Sequence, residues 1–157
     1  MNNKRSFTRF IVIGLLAALT ATVYSVAQST NPSIVGTWET VVPPSAGSGD
    51  TGYAMLTFFA DGNMVEVNAF ANPATSAPGR GVWIGSNNKY LLTFVIFTFD
   101  DKGKHTGKVK TYNSLTMDRP NHFTGTFTAD FFDLAGKVTK NVASGSSEST
   151  RLEVELP

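Results

Sequence analysis

At 157 residues, with a formal net charge of +1 and no cysteine, the chain has room for one domain and no means of cross-linking it. Only 16% of residues are charged and three of the 13 cations lie in the first nine positions, so there is no clustered basic patch for a nucleic acid or an anionic membrane surface. Hydrophobic residues make up 41%, enough for a core that must hold the fold together unaided.

The N-terminus runs MNNKRSFTR, then an almost wholly apolar stretch from Phe10 to Val23, then VYSVAQS. This is the plan of a secretory signal peptide, with Ser25 and Ala27 at the small positions ahead of a cut between Ala27 and Gln28. The apolar run is shorter than the ~20 residues of a membrane span, so residues 28–157 are expected as one soluble domain, periplasmic or secreted. Losing Lys4, Arg5 and Arg9 turns the formal +1 into −2.

From residue 33 onward, short runs of Val, Thr, Phe, Trp and Tyr end at Gly, Pro, Asn or Asp, and no capped 3.6-residue apolar period intervenes. Strands are expected at Ile34 to Val42, Tyr53 to Ala60, Met64 to Phe70, Gly81 to Gly85, Lys89 to Asp100, Gly107 to Met117 and His122 to Phe132. A final ribbon from Lys137 to Leu156 is expected to break at SGSSEST. In HFTGTFTADFF, Phe123, Gly125, Phe127, Ala129 and Phe131 share one face and Thr124, Thr126, Thr128 and Asp130 the other, as in a half-buried strand. Val109, Thr111, Asn113, Leu115 and Met117 form a more polar inner row. KYLLTFVIFTFD is apolar on both faces, which admits a homodimer or another partner on its outer side.

The connections alternate. The first, third and fifth are long (PPSAGSGDTG, ANPATSAPGRG, DDKGKHTG), and the second, fourth and sixth are tight (DGN, SNN, DRPN). In an up-and-down sheet successive turns fall at opposite ends, so the long loops share one end. The fold class is therefore all-β, an eight-stranded antiparallel up-and-down β-barrel, with an open mouth under residues 43–52, 71–81 and 100–107. The seventh connection, DLAG, is the short member at the mouth.

Gly36 and Trp38 begin the first strand, which must run from base to mouth, so Trp38 sits low and plugs the base while Gly36 admits a close neighbour. A Gly-x-Trp on the first strand of a secreted eight-stranded barrel resembles the lipocalins and the wider calycin group, whose members carry small hydrophobic molecules. In that resemblance an Arg packs across the Trp, and Arg151 or Arg119 would take the role. MDRPN stands where lipocalins carry TDY. The series Gly-x-Trp, FFADG, GVW and FTGTFTADFFDLAG also resembles bacterial barrels of the allene oxide cyclase type, some of which are cyclases.

The expected function is binding of a small hydrophobic molecule in the interior, with no cofactor, no metal, no nucleic-acid partner and no stable membrane insertion. An outer-membrane barrel would turn the Thr-rich row of the seventh strand to lipid. Ligand contacts are expected from inward residues near the mouth, Asn68, Thr111, Phe127, Phe131 and Trp83, with Arg80 and loop lysines for an anionic group; packing or exposure is the default account of each. Alternatives are a cyclase or isomerase using Glu66 and Tyr53 to handle protons, or a filled barrel acting through its outer face. In MVEVNAF, apolar burial favours Val65, Val67 and Ala69 as the core row with Glu66 solvated; the other face would place Glu66 and Asn68 inside. His105 and His122 fall at opposite ends and make no metal pair.

Overall fold

A computed structural model describes residues 33–44, 50–69 and 72–156. The signal-peptide reading of residues 1–27 lies outside the described residues, as do parts of the first and third mouth loops. Eight strands follow in chain order: β1 (Gly36–Val42), β2 (Gly52–Phe58), β3 (Asn63–Asn68), β4 (Gly79–Ser86), β5 (Lys89–Phe99), β6 (His105–Arg119), β7 (His122–Asp133) and β8 (Val138–Arg151). Each pairs antiparallel with its neighbour in sequence, and β8 pairs with β1, closing an all-β barrel with no helix among the described residues. Closure leaves no unpaired strand edge.

The turns have local chemical causes. At the mouth, β5–β6 and β7–β8 are joined by the same device: Asp100 Oδ1 accepts from the amides of Lys102 and Lys104, and Asp133 Oδ1 from those of Ala135 and Lys137. Gly103 and Gly136 take the left-handed position in each turn. At the base, Asn87 and Asn88 both have positive φ, the pairing that a two-residue hairpin requires of its central residues. Residues 72–78 of the third loop are stitched to the mouth end of β5, with Ala77 N donating to Phe97 O at 3.0 Å and Phe99 N to Thr75 O at 2.8 Å.

Two expectations are corrected. The final strand is not broken at SGSSEST; it runs through to Arg151, and its irregularity is a bulge opposite Asp130. There Asn141 has positive φ, and Asp130 accepts from Asn141 N (3.0 Å) and Lys140 Nζ (2.7 Å), so a residue on the outer face is nevertheless buried.

The second correction concerns the face of β3. Val67 is 51% exposed and Val65 and Ala69 do not fill the core, whereas Glu66 is 2% exposed and points inward. Pairing explains it: Trp38 must be inside, Leu56 pairs with Trp38, and Glu66 pairs with Leu56. Residues paired across a sheet share a face, so the position of one tryptophan carries through two strands.

The core lies in the base half. Trp38, Phe58 and Phe123 meet with ring centroids 4.7 Å (Trp38–Phe123) and 6.3 Å (Phe58–Phe123) apart, and Ile34, Met64, Tyr90, Leu92, Leu115 and Met117 pack around them. Each large aromatic buried here is worth about 2–3 kcal/mol of transfer free energy. The outer wall is two-sided in character: β2–β5 expose Met55, Val67, Val82, Ile84, Leu91 and Phe97, while the outer rows of β7 and β8 are mainly Ser and Thr.

Candidate functional site

The interior divides into a sealed floor and an upper chamber. The floor begins with Ile34, whose carbonyl accepts from Trp38 Nε1 at 2.8 Å. Arg151 closes it from below: its guanidinium carbon lies 4.2 Å from the Trp38 ring centroid, Nη1 donates to Val35 O at 2.8 Å, Nε to Pro120 O at 3.1 Å, and Nη2 to Ser33 O. Gly36 is required here, because a Cβ would stand 2.5 Å from Arg151 Nη1. Arg119, the other cation considered for this place, is exposed and pairs with Asp118. Trp83 also belongs to the floor: it sits between Phe58 and Tyr90, and its Nε1 donates to Phe59 O (3.0 Å) and Asn63 O (3.1 Å).

Above the aromatic floor the wall turns polar. Glu66 Oε1 accepts from Asn68 Nδ2 at 2.7 Å, and Oε2 from Gly79 N at 3.2 Å. Burial pushes the Glu66 carboxyl above its ordinary value, opposed by these two hydrogen bonds, which favour the charged form. Gly79 makes the arrangement possible: a Cβ there would lie 2.7 Å from Oε2 and 2.9 Å from Phe94 Cδ2. Thr40 and Ser149 share a buried hydrogen bond of 2.8 Å across the β1–β8 seam. Asn113, on the opposite wall, has its Nδ2 buried without a hydrogen-bond partner among the described residues, the sort of group that costs about 1–3 kcal/mol unless something satisfies it.

Register sets Glu66 and Asn113 near the same height. The paired row Val65–Arg80–Val95–Lys110 puts Val109 on the row of Glu66, and the stagger of tilted strands carries the equal-height position on β6 from Val109 toward the base, to Thr111 and Asn113. β6 stands three places round the eight-stranded barrel from β3, with β4 and β5 between, so the two side chains project from nearly facing walls.

Part of the inward set of the upper chamber keeps solvent contact. Ala54, Asn68, Ile96, Val109, Asn113, Phe127 and Phe131 alternate with outward neighbours and are half-buried, beside Thr40, Glu66, Phe94, Thr111 and Ala129, which are buried like the floor residues Leu56, Met117 and Phe123. Inward side chains that keep solvent contact are what a small-molecule site would use as its wall.

The residues singled out from sequence divide accordingly. Asn68, Thr111, Phe127 and Phe131 point into the upper chamber, and Glu66 joins them. Tyr53 does not: it is 59% exposed on the outer face, opposite Val41, and cannot act with Glu66 in the lumen. Arg80 likewise faces outward and exposed, in the row of Val65 and Val95. His105 bonds Gly107 O at the mouth, and His122 is held at the base between Asp118 and Glu148. Among the described residues no three His, Asp or Glu are grouped to hold a metal ion. Sequence reasoning passed over Asn113, Gly79 and Phe94 as site residues. The signal for Asn113 was present, an amide in the middle of an otherwise apolar and threonine inner row.

The chain matches no protein-family model, no curated protein and no solved structure.

Proposed function

We propose that this chain is an exported, soluble, calycin-like barrel that holds one small, largely apolar molecule in the upper half of its lumen. The observation that carries the reading is the contrast between a floor sealed by Trp38, Phe58, Phe123 and Arg151 and inward residues above it, Asn68, Asn113, Phe127 and Phe131, that keep partial solvent contact. Apolar walls supply affinity and a few fixed polar groups supply orientation, the usual composition of a small-molecule site. Gly-x-Trp capped by an arginine on the last strand supports the calycin resemblance.

Native mass spectrometry of the mature protein, purified gently from its own periplasm or medium, tests the reading. A retained small molecule of defined mass, released on denaturation, is the expected result. An empty protein that also refuses apolar fluorescent probes would overturn it in favour of a filled barrel.

A second reading, isomerisation or cyclisation of the bound molecule, is favoured by one observation: Glu66 is a buried carboxyl with a raised pKa. Tyr53 has no part in it. Incubating the released molecule with wild type and with Glu66→Gln separates the two readings, since a carrier returns it unchanged from both.

A further inference from the structure

We infer that the molecule in the lumen presents to Glu66 and Asn113 an uncharged group that both donates and accepts hydrogen bonds, a hydroxyl or a primary carboxamide, and that the lumen rejects carboxylates and phosphates. The inference rests on the lumen-binding reading and names the ligand class for it.

The donor requirement comes from Glu66. Its two oxygens already receive Asn68 Nδ2 and Gly79 N, so the surroundings hold it as an acceptor, and the lone pairs left over can take a further donor. The acceptor requirement comes from Asn113, whose buried Nδ2 has no partner among the described residues. Near the same height on facing walls, these two groups ask for one ligand group with both capacities.

Charge decides the rest. The inward positions of the upper chamber run from Thr40 and Glu66 round to Asn113, Phe127 and Ser149, and the described residues place no Lys or Arg among them. An anion there would be stripped of water with no counter-charge and would face the Glu66 carboxylate. An ammonium would pair with Glu66 but leave Asn113 without an acceptor. Cations near this end lie outside the lumen: Lys102, Lys104 and Lys137 are exposed on the β5–β6 and β7–β8 turns, and Lys108 is exposed on β6 over the Phe132 ring. They define the competing arrangement, a carboxylate at the rim with its chain pointing inward, which demands the opposite ligand preference.

Displacement of an apolar fluorescent probe from the mature protein at pH 8 distinguishes them, using dodecan-1-ol, dodecanamide, dodecanoate, dodecylamine and dodecane, each below its aggregation limit. The alcohol and the amide are expected to bind about tenfold or more tighter than the other three. Asn113→Leu should remove most of the advantage of alcohol over alkane, and Glu66→Gln should raise dodecanoate affinity severalfold. Dodecanoate or dodecylamine binding as tightly as the alcohol would overturn the inference while leaving lumen binding in place. Failure of the probe and of all five compounds would overturn the lumen reading itself.

Discussion

Arg151 and Trp38 are register partners across the seam between β8 and β1, and they are also stacked, with the guanidinium carbon 4.2 Å from the indole centroid. One side chain thus covers the floor of the barrel and ties the N-terminal segment to it through the carbonyls of Val35 and Ser33. Arg151→Ala is expected to cost about 3 kcal/mol from the lost ring contact and hydrogen bonds. Arg151→Lys should recover little, because an ammonium lacks the planar fork that reaches several carbonyls at once. Gly36→Ala should destabilise by about 1–3 kcal/mol, because the added methyl collides with Nη1 and the backbone has φ of 134°. Urea unfolding of the three variants checks both; unchanged midpoints would mean that the lid contributes nothing.

Glu66 makes stability fall as pH rises. Its folded pKa is raised by burial, so its contribution is fully present below the ordinary value of 4.5 and is lost as pH climbs through the folded pKa. Glu66→Gln does not titrate. The stability of wild type relative to this variant should therefore be greatest near pH 4 and decline to a lower plateau once the carboxyl is ionised. Urea midpoints of both proteins from pH 4 to 8 give the curve, and a difference independent of pH would contradict it.

His122 behaves in the same sense from a different cause. Hydrogen bonds to Asp118 (2.5 Å) and then Glu148 (2.9 Å) raise its pKa, against a smaller opposing effect of burial, and its partner Asp118 is lowered by the same contact. The histidine's contribution is present below its ordinary 6.5 and lost above the folded value; that of Asp118 is present above 3.8 and lost below its lowered value. His122→Gln should consequently destabilise most between about pH 4 and 6.5 and less in the alkaline range. Following the His122 ring protons by NMR during titration should show a midpoint above 6.5 in wild type and a downward shift in Asp118→Asn.

The bulge in β8 depends on Asp130. Its carboxyl pKa is lowered from its ordinary value by Lys140, then by the amide of Asn141, and it pins a residue of positive φ. Asp130→Ala should free this corner without opening the barrel floor. Hydrogen exchange is expected to quicken at residues 138–143 and remain slow at Trp38, Leu56 and Met117; equal protection in both proteins would show that the bulge is held by β7 pairing alone.

Strand count, closure, the two unlike ends and the low position of Trp38 could all be read from the chain, because they rest on local signals: period-two alternation, turn residues, and loops that alternate in length. What pairing alone decided was the side to which ambiguous strands turn. In β2 the rows Tyr53–Met55 and Ala54–Leu56 are both acceptably apolar, and in β3 Val65–Val67 looks a better core than Met64–Glu66. Hydropathy favours the wrong row there. Trp38, two strands away, selects the right one through Leu56, because a one-residue slip would expel the whole inner row. A carboxylate is tolerated inside because donors from Asn68 and from Gly79, thirteen positions distant, converge on it. That convergence exists only once β3 and β4 pair, and the amide of Asn113 on β6 comes to face it only after the barrel closes.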